Sequence, residues 1–264
     1  MSIPFRVPFL CARVHCESGS LHQRTNGRAA FLPMSQTARD SLWRLIYLNW
    51  RYSIYYFADR IEDARLGVRT GSGMQGTEKL DEFSVVGDRR HGTRYEATPY
   101  QTLRRVFAAL PYDTSQYCFV DFGSGKGRAL ILAARRGFRQ VLGVEFAKEL
   151  HEIAERNIRR ACNGRAQSIL CDAGEFEIPN GPCVLYLYNP FDRLLMERVV
   201  HNIVSSFRAK PRHIVIATLN ETVHGVFEMT GIFRQTGILR EGRLAGLSHP
   251  TRYRVKILEA HPDV

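Results

Sequence analysis

Apolar and polar positions recur along this chain in two rhythms, and the change of rhythm divides it. From Ser41 onward, Leu42, Leu45, Ile46, Trp50, Ile54, Tyr55, Ala58 and Ile61 fall at helical spacing, which gathers them on one face. The pattern predicts a helix from Ser41 to Ile61. A second helix is expected from Pro99 to Leu110, with Leu103, Val106 and Phe107 inward. Thr98 is placed to cap it and Pro99 to take its first position, where a missing N–H costs nothing.

Beyond Pro111 short apolar runs alternate with amphipathic stretches. The runs predict strands from Cys118 to Phe122, Val141 to Glu145, Gln167 to Cys171, Val184 to Tyr188 and His213 to Leu219. The stretches between them predict helices from Arg128 to Arg136, Lys148 to Ala161 and Leu194 to Phe207. Strands that are apolar on both sides and joined through helices form a parallel sheet covered on both faces. The alternation in Tyr253-Arg254-Val255-Lys256-Ile257 makes Gly237 to Leu258 a closing hairpin. The expected architecture is Rossmann-like α/β: a mostly parallel seven-stranded sheet with helices on both faces, plus an N-terminal helical extension.

Residues 1–36 mix Pro, Gly, Ser, Arg and His without apolar periodicity and read as a disordered leader. Residues 37–94 read as the helical extension followed by a flexible lid or linker, because Gly71, Gly73 and the charges around Asp88-Arg89-Arg90 disfavour regular structure. Residues 95–264 read as the principal domain.

Composition narrows the function classes. A hydrophobic share of 44% and a charged share of 24% suit a folded globular chain. The formal net charge of +11 is spread as scattered Arg, which fits either an anionic macromolecular partner or a basic solvated surface. The six cysteines form no CxxC pair and no His lies at ligand spacing from them, so neither a metal site nor a disulfide framework is expected, and a reducing cytoplasm is. Leu42 to Phe57 is the richest apolar stretch, but Arg44, Asn49 and Arg51 interrupt it and it is too short to span a bilayer.

The chemistry concentrates at Asp121-Phe122-Gly123-Ser124-Gly125-Lys126-Gly127, where the first long strand turns into a helix. Gly123, Gly125 and Gly127 permit a sharp turn and close approach of a ligand to the backbone. A dinucleotide loop would space its glycines G-x-G-x-x-G and hold a pyrophosphate; here the third Gly comes one residue early and Asp121 precedes the turn. A carboxylate there repels a pyrophosphate and attracts an ammonium group. Glu145 ends the next strand, roughly 20 residues on, where an acid can accept from both ribose hydroxyls. Asp172 follows the third strand and can accept from an exocyclic amine; alone, it is also a turn former.

With these residues the chain resembles the class I S-adenosylmethionine-dependent methyltransferases, over roughly Tyr95 to Leu258, and the loop matches their D-x-G-x-G-x-G motif in full. The resemblance implies that S-adenosylmethionine is the cofactor. It implies Asp121 at the methionine ammonium, Gly123, Ser124, Gly125 and Gly127 along the methionine portion, Glu145 at the ribose and Asp172 at the adenine.

Asn189-Pro190-Phe191, after the fourth strand, resembles the N/D-P-P-Y/F motif of amino-directed members. By that resemblance Asn189 and the Pro190 carbonyl would accept from a target amine and Phe191 would pack over it. The motif has two prolines where this chain has one, which weighs against base methylation of the N6-adenine kind; an Asn-Pro strand-ending turn is the other reading. Tyr95 and Thr98 resemble a segment that closes over the cofactor in lysine-directed members.

Methyl transfer needs positioning more than a dedicated base, so His151, His201, His213 and His224 are read as surface or packing residues. The expectation is an N-directed methyltransferase acting on a protein lysine or a nucleic acid. The alternatives are a small-molecule methyltransferase and a non-catalytic cofactor- or RNA-binding module of the same fold.

Overall fold

In the computed structural model the apolar runs become strands because both of their sides are covered. Cys118, Val120 and Phe122 enter one apolar cluster with Val199, Ile203 and Phe207, while Phe119 enters another with Leu103, Phe107 and Ile131. The described residues are 57–69, 77–78, 83–88, 90, 95–110, 112–188, 191–219, 225–240 and 254–262. The chain divides into units Met1–Leu42 and Trp43–Val264, and all described residues belong to the second. The expected leader and the expected helix before residue 57 lie outside the described residues.

Two short strands, β1 (Thr77–Glu78) and β2 (Tyr95–Glu96), pair antiparallel. The main sheet holds β3 (Cys118–Phe122), β4 (Gln140–Glu145), β5 (Gln167–Leu170), β6 (Cys183–Tyr188), β7 (Ile214–Leu219), β8 (Arg234–Arg240) and β9 (Arg254–Ala260). Its order is β5-β4-β3-β6-β7-β9-β8. β3 to β7 are mutually parallel, and β9 inserts antiparallel between β7 and β8. Strand order therefore reverses at β3, which opens a crevice at the carboxyl ends of β3 and its neighbours, where α/β sheets bind ligands.

The helices are α1 (residues 57–66), α2 (Tyr100–Ala109), α3 (Arg128–Arg136), α4 (Lys148–Cys162) and α5 (Arg193–Ala209). Leu103 and Val106 of α2, Leu130 and Ile131 of α3 and Ile158 of α4 pack on one face of the sheet; α5 covers the other through Val199 and Ile203. β3 and α3 have the bounds that the apolar pattern predicts.

Two local expectations are corrected. The helix expected to end at Ile61 runs on to residue 66, and Ala58 and Ile61 are exposed while Asp63 and Leu66 are buried. The inward face of α1 is therefore partly acidic, and apolar spacing could not follow it. Thr98 does not cap α2: Pro99 holds the cap position without a side-chain bond, and Asp59 Oδ1 accepts from the Tyr100 N–H at 3.3 Å. A carboxylate from another helix has taken the task expected of the neighbouring hydroxyl.

Candidate functional site

The loop after β3 is built against the end of β4. Gly123 N and Ser124 N both donate to the Val144 carbonyl, at 2.8 and 3.0 Å, and Gly127 N donates to the Ser124 carbonyl at 3.0 Å. Gly125 and Gly127 lie at φ 53° and 84°, in the left-handed region that a Cβ disfavours. At Gly127 a Cβ would also stand 3.2 Å from Ala154 of α4, so this glycine sets how closely α3 and α4 pack. Ser124 Oγ is buried without a hydrogen-bond partner among the described residues and faces Gly143, where a Cβ would stand 2.6 Å from it.

Asp121 and Glu145 are 4% and 3% exposed, at the ends of adjacent strands. Glu145 is held by two backbone donors: Gly125 N reaches Oε2 at 2.7 Å and Ala147 N reaches Oε1 at 2.9 Å. Burial pushes the Glu145 carboxyl up to about 7 against those hydrogen bonds. Burial, and then the charge of Glu145, push Asp121 up to about 8. Among the described residues no cation offsets either charge. Two buried carboxyls with no offsetting cation among the described residues would favour a positively charged ligand and disfavour a pyrophosphate.

Asp172 caps a single turn of tight helix, accepting from Gly174 N at 2.8 Å, and stands 3.7 Å from the Arg198 guanidinium. It is thus the turn former that the sequence allowed, and it also lines the crevice with Gly123, Phe146, Phe191 and Asp88. Phe191 is 5% exposed and packs in the α5 cluster, so its ring forms a wall of the crevice. Asn189 and Pro190 lie outside the described residues.

Tyr95 lies against Gly125 so closely that a Cβ there would overlap its ring, and Lys126 Nζ sits 5.1 Å from the ring centroid. Thr98 is turned elsewhere: its carbonyl accepts from Arg128 at 3.1 Å and its hydroxyl meets the Tyr186 hydroxyl at 3.5 Å. Within the stretch expected to be irregular, residues 83–88 run across the end of β4. Val85 bridges Ala147, Val86 N donates to the Phe146 carbonyl at 2.9 Å, and Ser84 accepts from Lys148 N at 2.8 Å. Gly87 abuts Asp172, where a Cβ would stand 2.6 Å from Oδ2.

Sequence reasoning missed the group behind the loop. Arg128, in the first turn of α3, pairs with Asp59 and Asp63 of α1 at 2.8 Å each and lies 4.5 Å from the Tyr100 ring centroid. The Tyr100 hydroxyl donates to Asp63 at 2.7 Å. A cation at a helix N-terminus opposes the helix dipole, and the two aspartates neutralise it. The spacing of Asp59 and Asp63, one helical turn apart, was the available signal.

The seven-stranded sheet, parallel but for the inserted last strand and with a glycine loop after its first strand, is Rossmann-like, as the apolar pattern predicts. Similar solved structures include an RNA methyltransferase from Salinibacter ruber in complex with S-adenosyl-L-homocysteine, at 17% identity and TM-score 0.47, covering 64% of this chain and 95% of that one. Another is the ribosomal protein L11 methylase from Lactobacillus delbrueckii subsp. bulgaricus, at 14% identity and TM-score 0.42, with 61% and 78% covered. The 23S rRNA methyltransferase ErmE is similar at 15% identity and TM-score 0.43, with 62% and 68% covered. No family model and no curated protein sequence matches the chain.

Proposed function

We propose that this chain is an S-adenosylmethionine-dependent methyltransferase that transfers a methyl group to an amine of a macromolecule. The observation that carries the reading is the pair of buried carboxyls, Asp121 and Glu145, flanking a loop whose glycines lie at positive φ. These residues fit the methyl donor, whose ammonium and sulfonium are cationic and whose ribose offers two hydroxyl donors. Asp121 would accept from the ammonium. Glu145, with one backbone bond to each oxygen, keeps lone pairs for the ribose hydroxyls. Asp172 would receive the adenine amine, with Phe191 as the apolar wall, and Tyr95 would cover the loop.

When bound, S-adenosylmethionine supplies a methyl group on a positively charged sulfur. The chain's own part is to orient donor and acceptor in line and to exclude water, effects that account for most of such an acceleration. Asn189, with the Pro190 carbonyl, would hold the acceptor amine through its lone pairs. The charge of +11 favours a polyanionic acceptor, which makes nucleic acid the preferred macromolecule and a protein lysine the second.

Incubating the protein with methyl-labelled donor and cell lysate, then separating protein, RNA, DNA and small molecules, tests this reading. Label in a nucleic-acid fraction supports it, and label confined to small molecules or absent throughout refutes it. Asn189→Ala is expected to leave donor affinity in calorimetry nearly intact while label incorporation falls at least about tenfold, the scale of a lost positioning contact.

A further inference from the structure

At the sheet edge opposite the crevice, where β7 begins and β9 ends, three side chains converge that the proposed reaction does not use. We propose that His213, Glu259 and His261 bind a divalent transition-metal ion of the zinc class. Their ligand atoms all lie within 4.8 Å of one another. His213 Nε2 is 3.1 Å and His261 Nε2 3.3 Å from the same carboxylate oxygen, Glu259 Oε2, and the two rings stack at 4.2 Å between centroids. Donors at tetrahedral corners, each about 2.0–2.1 Å from zinc, stand a little over 3 Å apart. The two nitrogen–oxygen separations are already close to that, and the half-exposed His261 ring, which lies within 18° of parallel to His213, has to turn for both Nε2 lone pairs to meet one ion.

The surroundings orient these ligands as the outer shell of a metal site does. The Tyr117 hydroxyl lies 2.7 Å from His213 Nδ1, so an Nδ1–H donated to it leaves the Nε2 lone pair facing the centre. Tyr112 donates to Glu259 Oε2 and Thr236 to Oε1, each at 2.5 Å, and together they fix the carboxylate. With Tyr112 already on Oε2, two imidazole nitrogens compete for what that oxygen has left. A cation among the three turns this crowding into coordination.

Two imidazoles and one carboxylate suit zinc and its neighbours and do not suit magnesium or calcium, which take oxygen ligands. His213 and Glu259 are 12% and 10% exposed and His261 is 49% exposed, so the fourth position opens to solvent. The ion would tie the last strand to the start of β7 and to the tyrosines ahead of β3. Its role is to clamp the sheet. No cysteine pattern announces such a site, because His213 is brought in from another strand.

The test uses the full chain, stripped with a chelator and titrated with zinc chloride by calorimetry and with cobalt chloride by visible absorption. One equivalent of zinc is expected, with a tetrahedral cobalt spectrum lacking a thiolate charge-transfer band. His261→Ala, at a half-exposed position that folding tolerates, is expected to weaken binding at least about tenfold and to abolish the rise in Tm that zinc gives the parent protein. Tyr117→Phe is expected to weaken it by on the order of tenfold through the orientation of His213. Absence of zinc binding, a thiolate band, or equal affinity in His261→Ala overturns the proposal. None of these results bears on donor binding at the other edge.

Discussion

Asp121 and Glu145 hold buried carboxyls that no cation among the described residues offsets, so their protonation couples to both stability and binding. Their carboxyls rise from 3.8 to about 8 and from 4.5 to about 7 on folding. A raised carboxyl means that the folded state binds more protons than the unfolded one between those values. The stabilising protonation is complete below about pH 4 and is lost as pH rises through about 7 and then 8. The Tm of the ligand-free protein is therefore expected to fall from pH 6 to pH 8.5, and Asp121→Asn, which removes the charge, should flatten the fall. Donor affinity runs the other way, because an ammonium selects the ionised carboxyl: calorimetry should show tighter binding as pH rises from 6 to 8, and in Asp121→Asn weaker binding with only the smaller pH dependence that Glu145 leaves. An affinity that declines over that range would reverse the assignment. Gly125→Ala gives a second check at this scale. The left-handed backbone costs a residue with a Cβ about 1–2 kcal/mol, and the new methyl must displace the Tyr95 ring. Urea denaturation should register a loss of at least that size, partly restored by Tyr95→Ala. Asp121, Glu145 and the glycines were legible in the sequence because one short loop and one strand end carry them. Tyr95 was singled out only through the resemblance to lysine-directed members, because its contact with that loop depends on a fold-back across 30 residues that leaves no local mark.

Elements were legible to the extent that their apolar periodicity was their own. β3 and α3 fall where the pattern puts them, since a strand buried on both faces must be apolar throughout. The continuation of α1 past Ile61 escaped because its inward face is shared by Asp59 and Asp63, whose partner Arg128 lies 65 and more residues away. The same tie explains the missing Thr98 cap, as Asp59 already serves Tyr100. A buried pair broken on one side costs about 3–5 kcal/mol, because the surviving charge keeps no counterpart. Asp63→Ala should destabilise the protein by that order in urea, since the Arg128 and Asp63 side chains are only 8% and 3% exposed. The double variant Asp63→Ala with Arg128→Met should recover much of the loss. Equal stability of the single variant and the parent would show that α1 is not held through this pair. Because Arg128 opens the helix that follows the glycine loop, Asp63→Ala should weaken donor binding as well, an effect that a purely local α1 would not produce.

At the scale of the whole molecule the two edges of one sheet carry different chemistry: acidic at the carboxyl ends of β3 and β4, histidine-rich where β7 starts. The surplus of basic residues is a property of neither site, since Asp121, Glu145 and Asp172 make the crevice itself acidic while the chain as a whole carries +11. An acidic crevice in a basic molecule separates two tasks. In the proposed reaction the local carboxyls would select the cationic donor, and the long-range positive field would gather an anionic acceptor, which the crevice alone would repel. Only the second depends strongly on ionic strength, because buried charges are screened little and surface charges are screened beyond about 10 Å at 0.1 M salt. Raising salt from 50 to 200 mM should therefore leave donor affinity within about twofold, while methyl incorporation into nucleic acid falls by an order of magnitude or more as phosphate contacts and their released counterions are lost. Parallel calorimetry and label counting over that range check both halves, and incorporation that holds constant with salt would remove nucleic acid as the acceptor while leaving the donor site intact.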